Sequence, residues 1–341
     1  MKRTKLTITL GSLTSFFLLF SLMVSGAWAG LVNLRISTQM PPNHHTVKAL
    51  EIFKQEVEKN AAGRIKVSIH PAGQLFKGRD LPMAVGSGAV EMGDMVTPYL
   101  SGIFPEFELL DGPFMVDSRP LAENIFSGEI GEMLNKRIES LGMKVIFGHP
   151  YGYFSMYGNN KKVIKLPSDM EGMKIRAVGE TQVLKAKAMG ATPQTIPGSE
   201  QYMAYKRGVV DVGQSGPSSF VSRKLYEVFK YGTVVRDDLM IFWCNINSKV
   251  WKKLSDADKK IILEAGKKAA AYDWEATEKK ENEANDFLPT KMNVYFPNAQ
   301  ELQEWKRAFA PVNKQLAENT GKRGLALYNA ILKVRKEMGL K

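Results

Sequence analysis

Residues 32–69 have the sequence VNLRISTQMPPNHHTVKALEIFKQEVEKNAAGRIKVSI, and this stretch decides the fold class. Hydrophobic side chains alternate in 32–37 and again in 65–69, as they do in half-buried strands. Between them, residues 46–60 place hydrophobic side chains at three- and four-residue spacing, which predicts an amphipathic helix. A strand, a helix and a strand in this order form the β-α-β unit from which parallel sheets are built.

The same alternation of strands and helices continues along the chain. Further strands are predicted at 92–96, 144–147, 173–177 and 209–212. Further helices are predicted at 81–87, 121–141, 181–189, near Ser199, 299–309 and 324–338. Residues 256–287 contain no proline and favour one helix of about 45 Å, long enough to brace two lobes. The fold class is therefore predicted as α/β.

The first 29 residues have the features of a secretory signal peptide. Basic residues near the start precede a hydrophobic run over 6–24, and Ala27-Trp28-Ala29 is a small-x-small cleavage site. We therefore expect an exported mature chain that begins at Gly30. No later stretch has the roughly 20 apolar residues of a membrane span, so no stable membrane anchor is expected. The single cysteine, Cys244, excludes an intramolecular disulfide, and a large exported chain without disulfides suits a bacterial periplasm.

The composition is that of a globular protein, with 44% hydrophobic and 24% charged residues. The 47 lysines and arginines exceed the 35 aspartates and glutamates, which gives a formal net charge of +12. These basic residues are dispersed among acidic ones instead of being clustered with aromatic side chains. A nucleic-acid partner is therefore not expected.

The catalytic and metal-binding motifs that an exported α/β protein could carry are not matched. Residues 213–217, Gly-Gln-Ser-Gly-Pro, are similar to a nucleophile elbow, but the elbow requires glycine where this chain has Pro217. No His-Glu-x-x-His and no nucleotide-binding glycine pattern occurs. His44 and His45 are adjacent, and adjacent side chains point in different directions, so we expect a solvated turn there in preference to a metal site. No catalytic residue, metal or cofactor is predicted.

Arg176 ends a predicted strand that follows a turn rich in Pro, Asp and Gly. Open α/β sheets bind ligands at the carboxyl ends of their strands. Arginine is also the side chain that can hold a carboxylate through two parallel hydrogen bonds. On this pattern alone, an ordinary ion pair or a surface position remains the simpler interpretation of Arg176.

Six segments occur in an order that is specific as a set: VSIHPAGQL (67–75), GAVEMG (88–93), FPEFELLDGPF (104–114), PSDMEGMKIR (167–176), MGATP (189–193) and GVVDVG (208–213). Through them the chain resembles the DctP-type solute-binding proteins of tripartite ATP-independent periplasmic (TRAP) transporters over about residues 34–254. The resemblance implies two α/β lobes around a ligand cleft, crossed by a long helix, that close on an organic acid and deliver it to membrane permease subunits. Arg176 matches the family's carboxylate-binding arginine, and the implied binding is not catalytic.

Three positions depart from the family pattern. A second arginine often stands about 20 residues before the first, but residues 154–157 are Phe-Ser-Met-Tyr. A phenylalanine that packs on the ligand is often found where this chain has Gly198, and an acidic residue and asparagine are often found where it has Gln-Ser-Gly at 214–216. Because a charge and a ring are lost, we predict a monocarboxylate with an apolar or aromatic body in preference to a C4-dicarboxylate.

The predicted ligand site centres on Arg176, with seven further residues placed near it by their position in the chain: Tyr99, Tyr153, Met156, Gly198, Gln214, Ser215 and Trp243. For each aromatic side chain among them, ordinary core packing is the alternative.

The two lobes are predicted to comprise residues 31–153 plus 242–281 and residues 154–241 plus 282–341. Two other functions stay open at this point. One is a periplasmic enzyme acting on a carboxylate substrate, for which Ser215 and an unlocated histidine are the only hints. The other is a binding subunit that reports to a membrane sensor kinase. Retention of a ligand without turnover would separate a receptor from an enzyme.

Overall fold

The computed structural model describes residues 31–340, so the predicted signal peptide lies outside the described residues. The strands are β1 (Val32–Thr38), β2 (Ile65–His70), β3 (Met92–Val96), β4 (Met143–Asn159), β5 (Lys174–Ala177), β6 (Thr192–Thr195), β7 (Val212–Ser215), β8 (Tyr231–Asn247) and β9 (Asn293–Tyr295). The helices are α1 (His45–Asn60), α2 (Leu81–Ser87), α3 (Thr97–Ser101), α4 (Arg119–Ser127), α5 (Glu129–Glu139), α6 (Glu180–Ala188), α7 (Gln201–Lys206), α8 (Pro217–Ser222), α9 (Ser248–Lys253), α10 (Asp256–Phe287), α11 (Ala299–Asn319) and α12 (Gly321–Glu337). Within residues 31–340, no helix is long and apolar enough to cross a bilayer.

The strands form one mixed sheet in the order β2-β1-β3-β8-β4-β7-β5-β6, with β9 beside β8. The predicted β-α-β unit is confirmed, because β1 pairs parallel with β2 and α1 lies between them in the chain. A second parallel group joins β5 to β6 and β7. The two groups are linked by antiparallel pairing of β3 with β8, β8 with β4, and β4 with β7.

The strands β4 and β8, each 17 residues long, run through both halves of the sheet. They pair antiparallel from Met143 opposite Asn247 to Asn159 opposite Tyr231. The prediction of a strand at 144–147 was therefore too short, and β8 was not predicted. The predicted lobe boundaries, after residues 153 and 241, fall inside these two strands and stay predictions.

The long helix α10 follows the predicted bounds, Asp256–Phe287, and its 32 residues span about 48 Å. The Ser255 side chain caps its start by accepting a hydrogen bond from the Asp258 backbone N–H. The helix packs against β4, against α1, which connects β1 to β2, and against α8, which follows β7. A single helix therefore contacts both halves of the molecule, as predicted.

Three predicted elements have different bounds in the structure. The helix expected over 121–141 is two helices, α4 and α5, separated at Gly128, whose backbone is extended. The strand expected over 209–212 lies at Val212–Ser215, because its pairing with β4 extends to Ser215 opposite Met156. The helix expected over 299–309 continues through Pro311 to Asn319.

Candidate functional site

Several strands of the sheet end at a small cavity between its two halves, which we call the central cavity. Its volume is about 20 Å³, room for about one water molecule. Its lining comes mainly from residues at or just beyond the carboxyl ends of β1, β3, β5 and β7, from the middle of β4 and β8, and from α7 and the end of α8. These thirteen residues are Gln39, Met40, Val96, Tyr151, Phe154, Arg176, Val178, Gly198, Gln201, Ser215, Arg223, Met240 and Phe242.

Arg176 lies at this cavity and is only 3% exposed. Its Nε donates to the Ile196 carbonyl at 3.0 Å, and its Nη1 donates to the Gln214 carbonyl at 2.7 Å. These two bonds fix the plane of the guanidinium while using two of its five N–H donors. Within residues 31–340, Arg176 makes no ion pair, so the ion pair that the sequence pattern allowed is not formed. The fold instead presents a buried cation to the cavity.

A second arginine, Arg223, lines the same cavity and was not predicted. It directly follows α8, in a polar Ser-Arg-Lys segment that has no local signal for ligand binding. Its Nη2 contacts the Gln39 carbonyl at 3.3 Å and the Met40 sulfur at 3.2 Å. Burial lowers the pKa of Arg223, and the neighbouring positive charge of Arg176 lowers it further. The two guanidiniums therefore interact across one small space.

Ser215 lines the central cavity and bonds to Tyr151, which was not among the predicted site residues. The Tyr151 hydroxyl is 2.9 Å from Ser215 Oγ and accepts a hydrogen bond from the Gly216 N–H at 3.0 Å. Tyr151 belongs to β4, Ser215 ends β7, and the described residues place no histidine in hydrogen-bond contact with Ser215. The serine is thus held as a hydrogen-bonding group of the cavity wall.

Gly198 lines the central cavity and contacts Tyr99, which lies just outside it. The Tyr99 hydroxyl donates to the Gln39 side-chain oxygen and accepts from the Gly198 N–H at 3.2 Å. A Cβ atom at Gly198 would stand 2.3 Å from that Gln39 oxygen, so only glycine fits there without moving the Gln39 side chain. Tyr99 lines a larger groove of about 620 Å³, which neither Arg176 nor Arg223 reaches. We place the site at the smaller cavity because the buried Arg176 and the half-buried Arg223 meet there.

Gln214 contributes through its backbone. Its carbonyl accepts from Arg176, whereas its side-chain amide donates to Ser155 Oγ at 2.7 Å, away from the cavity lining. The predicted position of Gln214 beyond the end of the strand was wrong, because it lies inside β7.

Tyr153, Met156 and Trp243 are not brought to the central cavity. The Arg236 guanidinium stacks on the Tyr153 ring, with its Cζ 4.0 Å from the centroid of the ring. Met156 lies in a hydrophobic cluster with residues of α8, β8 and α10. The Trp243 indole donates to Thr97 Oγ1 at 3.1 Å and packs on aromatic rings of the core. Other aromatic residues of β4 and β8, namely Tyr151, Phe154 and Phe242, line the cavity instead.

The expectation of a solvated turn at His44 and His45 is wrong, since both side chains are buried. His44 caps α1 by accepting from the Thr46 N–H, and its ring stacks on Tyr151. His45 contacts Asp273 of α10 through Nδ1 at 2.7 Å. Among residues 31–340, no group of three or more histidines, cysteines or acidic residues is arranged to hold a metal ion.

Sequence and structure comparisons identify the relatives of this chain. Residues 36–320 match the model of DctP, the bacterial extracellular solute-binding proteins of family 7. The C4-dicarboxylate-binding periplasmic protein DctP of Rhodobacter capsulatus is 28% identical over 315 residues, covering 89% of this chain and 92% of that protein. The sugar acid binding protein DctPAm from Advenella mimigardefordensis, solved with galactonate, has a TM-score of 0.84 at 23% identity over 89% of this chain and 99% of its own.

A TRAP periplasmic solute binding protein from Polaromonas sp. JS666, solved with D-erythronate, has a TM-score of 0.81 at 25% identity, covering 88% of this chain and 98% of its own. These similarities confirm the two-lobed α/β fold that the sequence predicted. Because the family model matches most of the chain, the protein belongs to the DctP family of bacterial extracellular solute-binding proteins.

Proposed function

We propose that this protein is a periplasmic receptor that captures an organic acid in the central cavity and delivers it to the membrane permease subunits of a TRAP transporter. The observation that carries the proposal is Arg176, a buried guanidinium oriented by two backbone carbonyls in a member of the DctP family. Such a preoriented cation can hold a carboxylate through charge-assisted hydrogen bonds, and the surrounding protein excludes water from the contact.

The small volume of the central cavity implies that its walls move when a ligand enters. A space of about 20 Å³ holds about one water molecule, which is far less than an organic acid needs. We infer that the lobes separate to admit the acid and close around it, with bending in β4 and β8, the two strands that run through both halves of the sheet. Closure then supplies contacts from both lobes to one ligand.

The contacts of Ser215 do not support the alternative of an enzyme that uses this serine. A nucleophilic serine needs an adjacent base, and the partner of Ser215 is the Tyr151 hydroxyl. An acid bound at one equivalent and recovered unchanged would support a receptor, whereas a converted product would contradict it. A receptor for a sensor kinase would bind the same acid but would be captured with the kinase and not with the permease.

Arg176→Lys is expected to weaken acid binding at least about 100-fold, or by about 2.7 kcal/mol. The lysine keeps the charge, but it cannot reproduce the planar two-point contact with a carboxylate. A thermal-shift screen of the chain from Gly30 onward against aliphatic, aromatic and dicarboxylic acids would select a ligand. An acid present at 100 times its dissociation constant adds about 2.7 kcal/mol to the free energy of unfolding, which gives a readable shift. Calorimetric titration would then compare the two proteins.

Arg79→Lys is the matched control for Arg176→Lys. Arg79 also donates to a backbone carbonyl, that of Val178 at 3.0 Å, but its side chain lines the larger groove. The Arg79→Lys variant should bind the acid with an affinity within about threefold of that of wild type. Equal affinities of wild type and Arg176→Lys for every acid that binds would contradict the role given to Arg176. The monocarboxylate prediction stays a prediction, and the same panel tests it.

A further inference from the structure

A second pocket, which we call the aromatic pocket, lies on the opposite face of β8 from the central cavity. Phe242 lines the central cavity, whereas its neighbours Ile241 and Trp243 line the aromatic pocket, as expected for adjacent residues of a strand. The volume of the aromatic pocket is about 340 Å³, within the range of small-ligand sites. Its eleven described lining residues come from α4, α5, β4, β8 and α10: Glu123, Phe126, Ser127, Asn135, Val145, Ile146, Phe147, Gly148, Ile241, Trp243 and Trp274. The proposed acid receptor makes no use of this pocket.

Aromatic rings from three elements form much of the wall: Phe126, Phe147, Trp243 and Trp274. The rings of Phe126 and Trp243 are nearly perpendicular, at 81°, with their centroids 5.4 Å apart. The ring of Trp274 already contacts one cation, because Arg119 Cζ lies 5.8 Å from its centroid. The face of an aromatic ring carries partial negative charge and attracts cations, and tryptophan does so most strongly. The wall of the aromatic pocket therefore favours a positively charged ligand.

The polar groups of the aromatic pocket favour a cation as well. Glu123 is the only charged side chain among the eleven described lining residues. Its partner Arg119, which does not line the pocket, is 2.8 Å from Glu123 and also 2.8 Å from Glu275, so two carboxylates surround one guanidinium. Asn135 Oδ1 is buried with no hydrogen-bond partner among the described residues. A donor supplied by a ligand would remove the cost of that unpaired acceptor.

We propose that the aromatic pocket binds a small organic cation, a quaternary or alkyl ammonium compound that also carries a hydroxyl or N–H donor. The rings surround the ammonium group, Glu123 balances its charge at the solvent-exposed side, and Asn135 accepts the hydrogen bond. An organic acid would meet the Glu123 carboxylate and the negative ring faces, so it is not a ligand of this pocket. The protein thus has a second site, for a class of ligand opposite in charge to that of the central cavity.

The test compares choline with 3,3-dimethylbutan-1-ol, an alcohol of the same shape in which carbon replaces the charged nitrogen. Tryptophan fluorescence and calorimetry follow binding to the chain from Gly30 onward, in a buffer without organic cations. Wild type should bind choline at least about tenfold more tightly than the alcohol. Trp274→Leu, which removes a ring, should weaken choline binding at least about tenfold. Glu123→Gln, which keeps the shape of an exposed side chain, should weaken it by about three- to tenfold.

Trp251→Leu and Glu132→Gln are the matched controls, since Trp251 is half-buried in α9, Glu132 is exposed on α5, and neither lines the aromatic pocket. Both controls, and Arg176→Lys, should bind choline within about twofold of wild type. Thermal unfolding of each variant checks that it is folded. No binding of choline to wild type, equal affinities for choline and the alcohol, or full choline affinity in both Trp274→Leu and Glu123→Gln would overturn the proposal. None of these results would affect the acid-binding function, which titration of Arg176→Lys with acids tests separately.

Discussion

Lys185→Met is expected to lower the free energy of unfolding by about 3–5 kcal/mol. Lys185 of α6 has no exposed side-chain surface, and its Nζ lies 2.5 Å from Asp237 Oδ2 and 2.9 Å from Ser155 Oγ. Burial alone would lower the pKa of Lys185, but the Asp237 carboxylate raises it above its usual value. Removing the ammonium leaves an aspartate buried without its counter-charge, which costs more than the pair itself contributes.

The surroundings of Lys185 make this loss larger than that of an ordinary ion pair. Asp238, which follows Asp237 in the chain, is also fully buried. Its burial and the charge of Asp237 raise the pKa of Asp238 well above its usual range, and the charge of Lys185 opposes this shift. Ser155 and Arg236 have positive φ angles of 80° and 55°, at the point where β4 and β8 shift register. Lys185 thus bonds to Ser155 at the point where both long strands carry a positive φ angle.

Urea denaturation of wild type, Lys185→Met and Lys187→Met measures the effect. Lys187 lies on the same helix and is exposed, so its substitution should change the free energy of unfolding by no more than about 0.5 kcal/mol. Lys185→Met combined with Asp237→Asn should recover part of the loss, because the unpaired charge is then removed as well. A difference of less than about 1 kcal/mol between the two single variants would show that the buried cluster does not need this cation.

The local periodicity of the sequence was enough to predict several short elements and the long helix α10, but not the two long strands that run through both halves of the sheet. α2, β3 and α10 have the predicted bounds, because each has a clear period and clear ends. β4 contains Gly148, Pro150 and Gly152, which interrupt a strand pattern, and β8 is buried along nearly its whole length, so its side chains do not alternate. Neither strand could be assigned from its own residues.

The site could be predicted only where a motif carried it. Of the predicted site residues, Arg176, Gly198 and Ser215 line the cavity. The strand pattern alone favoured an ordinary ion pair or a surface position for Arg176, and its ligand role came from the resemblance. Arg223 and the burial of His45 depend on contacts between distant segments: Arg223 with residues 39–40, and His45 with Asp273, 228 positions away. Trp243 was predicted at the cavity, but its neighbour Phe242 lines it. Adjacent residues of a strand face opposite sides of the sheet, so an error of one residue in position exchanges the two sides.

The stability of the protein is expected to fall as the pH rises from about 6.5 to about 10, because of His149. Its Nδ1 lies 2.6 Å from Asp273 Oδ2 and its Nε2 lies 2.8 Å from Asp94 Oδ1, so both ring nitrogens face carboxylates. Burial alone would lower the pKa of His149, but the carboxylates of Asp94 and Asp273 raise it to about 10. The fully buried imidazolium therefore links α10 to β3 and β4.

The direction of the effect follows from the protons that each state binds. Below pH 6.5, the ordinary histidine value, His149 is charged in both the folded and the unfolded chain, and its contribution is fully present. Between 6.5 and about 10 the unfolded chain releases this proton and the folded chain retains it, so the free energy of unfolding falls by up to about 1.4 kcal/mol per pH unit. Above about 10 the contribution is lost.

Urea denaturation from pH 6 to 10 should therefore show a steeper decline for wild type than for His149→Gln, which has no proton to release. His70→Gln is the control, because among residues 31–340 the His70 ring bonds to Ser68 Oγ and to no carboxylate, so this variant should keep the wild-type slope. Where His149→Gln is too unstable to compare, NMR of the imidazole in wild type gives the same answer: the His149 signal should stay that of the charged form past pH 8. A His149 signal that titrates near pH 6.5, or equal slopes in wild type and His149→Gln, would mean that the two carboxylates do not hold the proton.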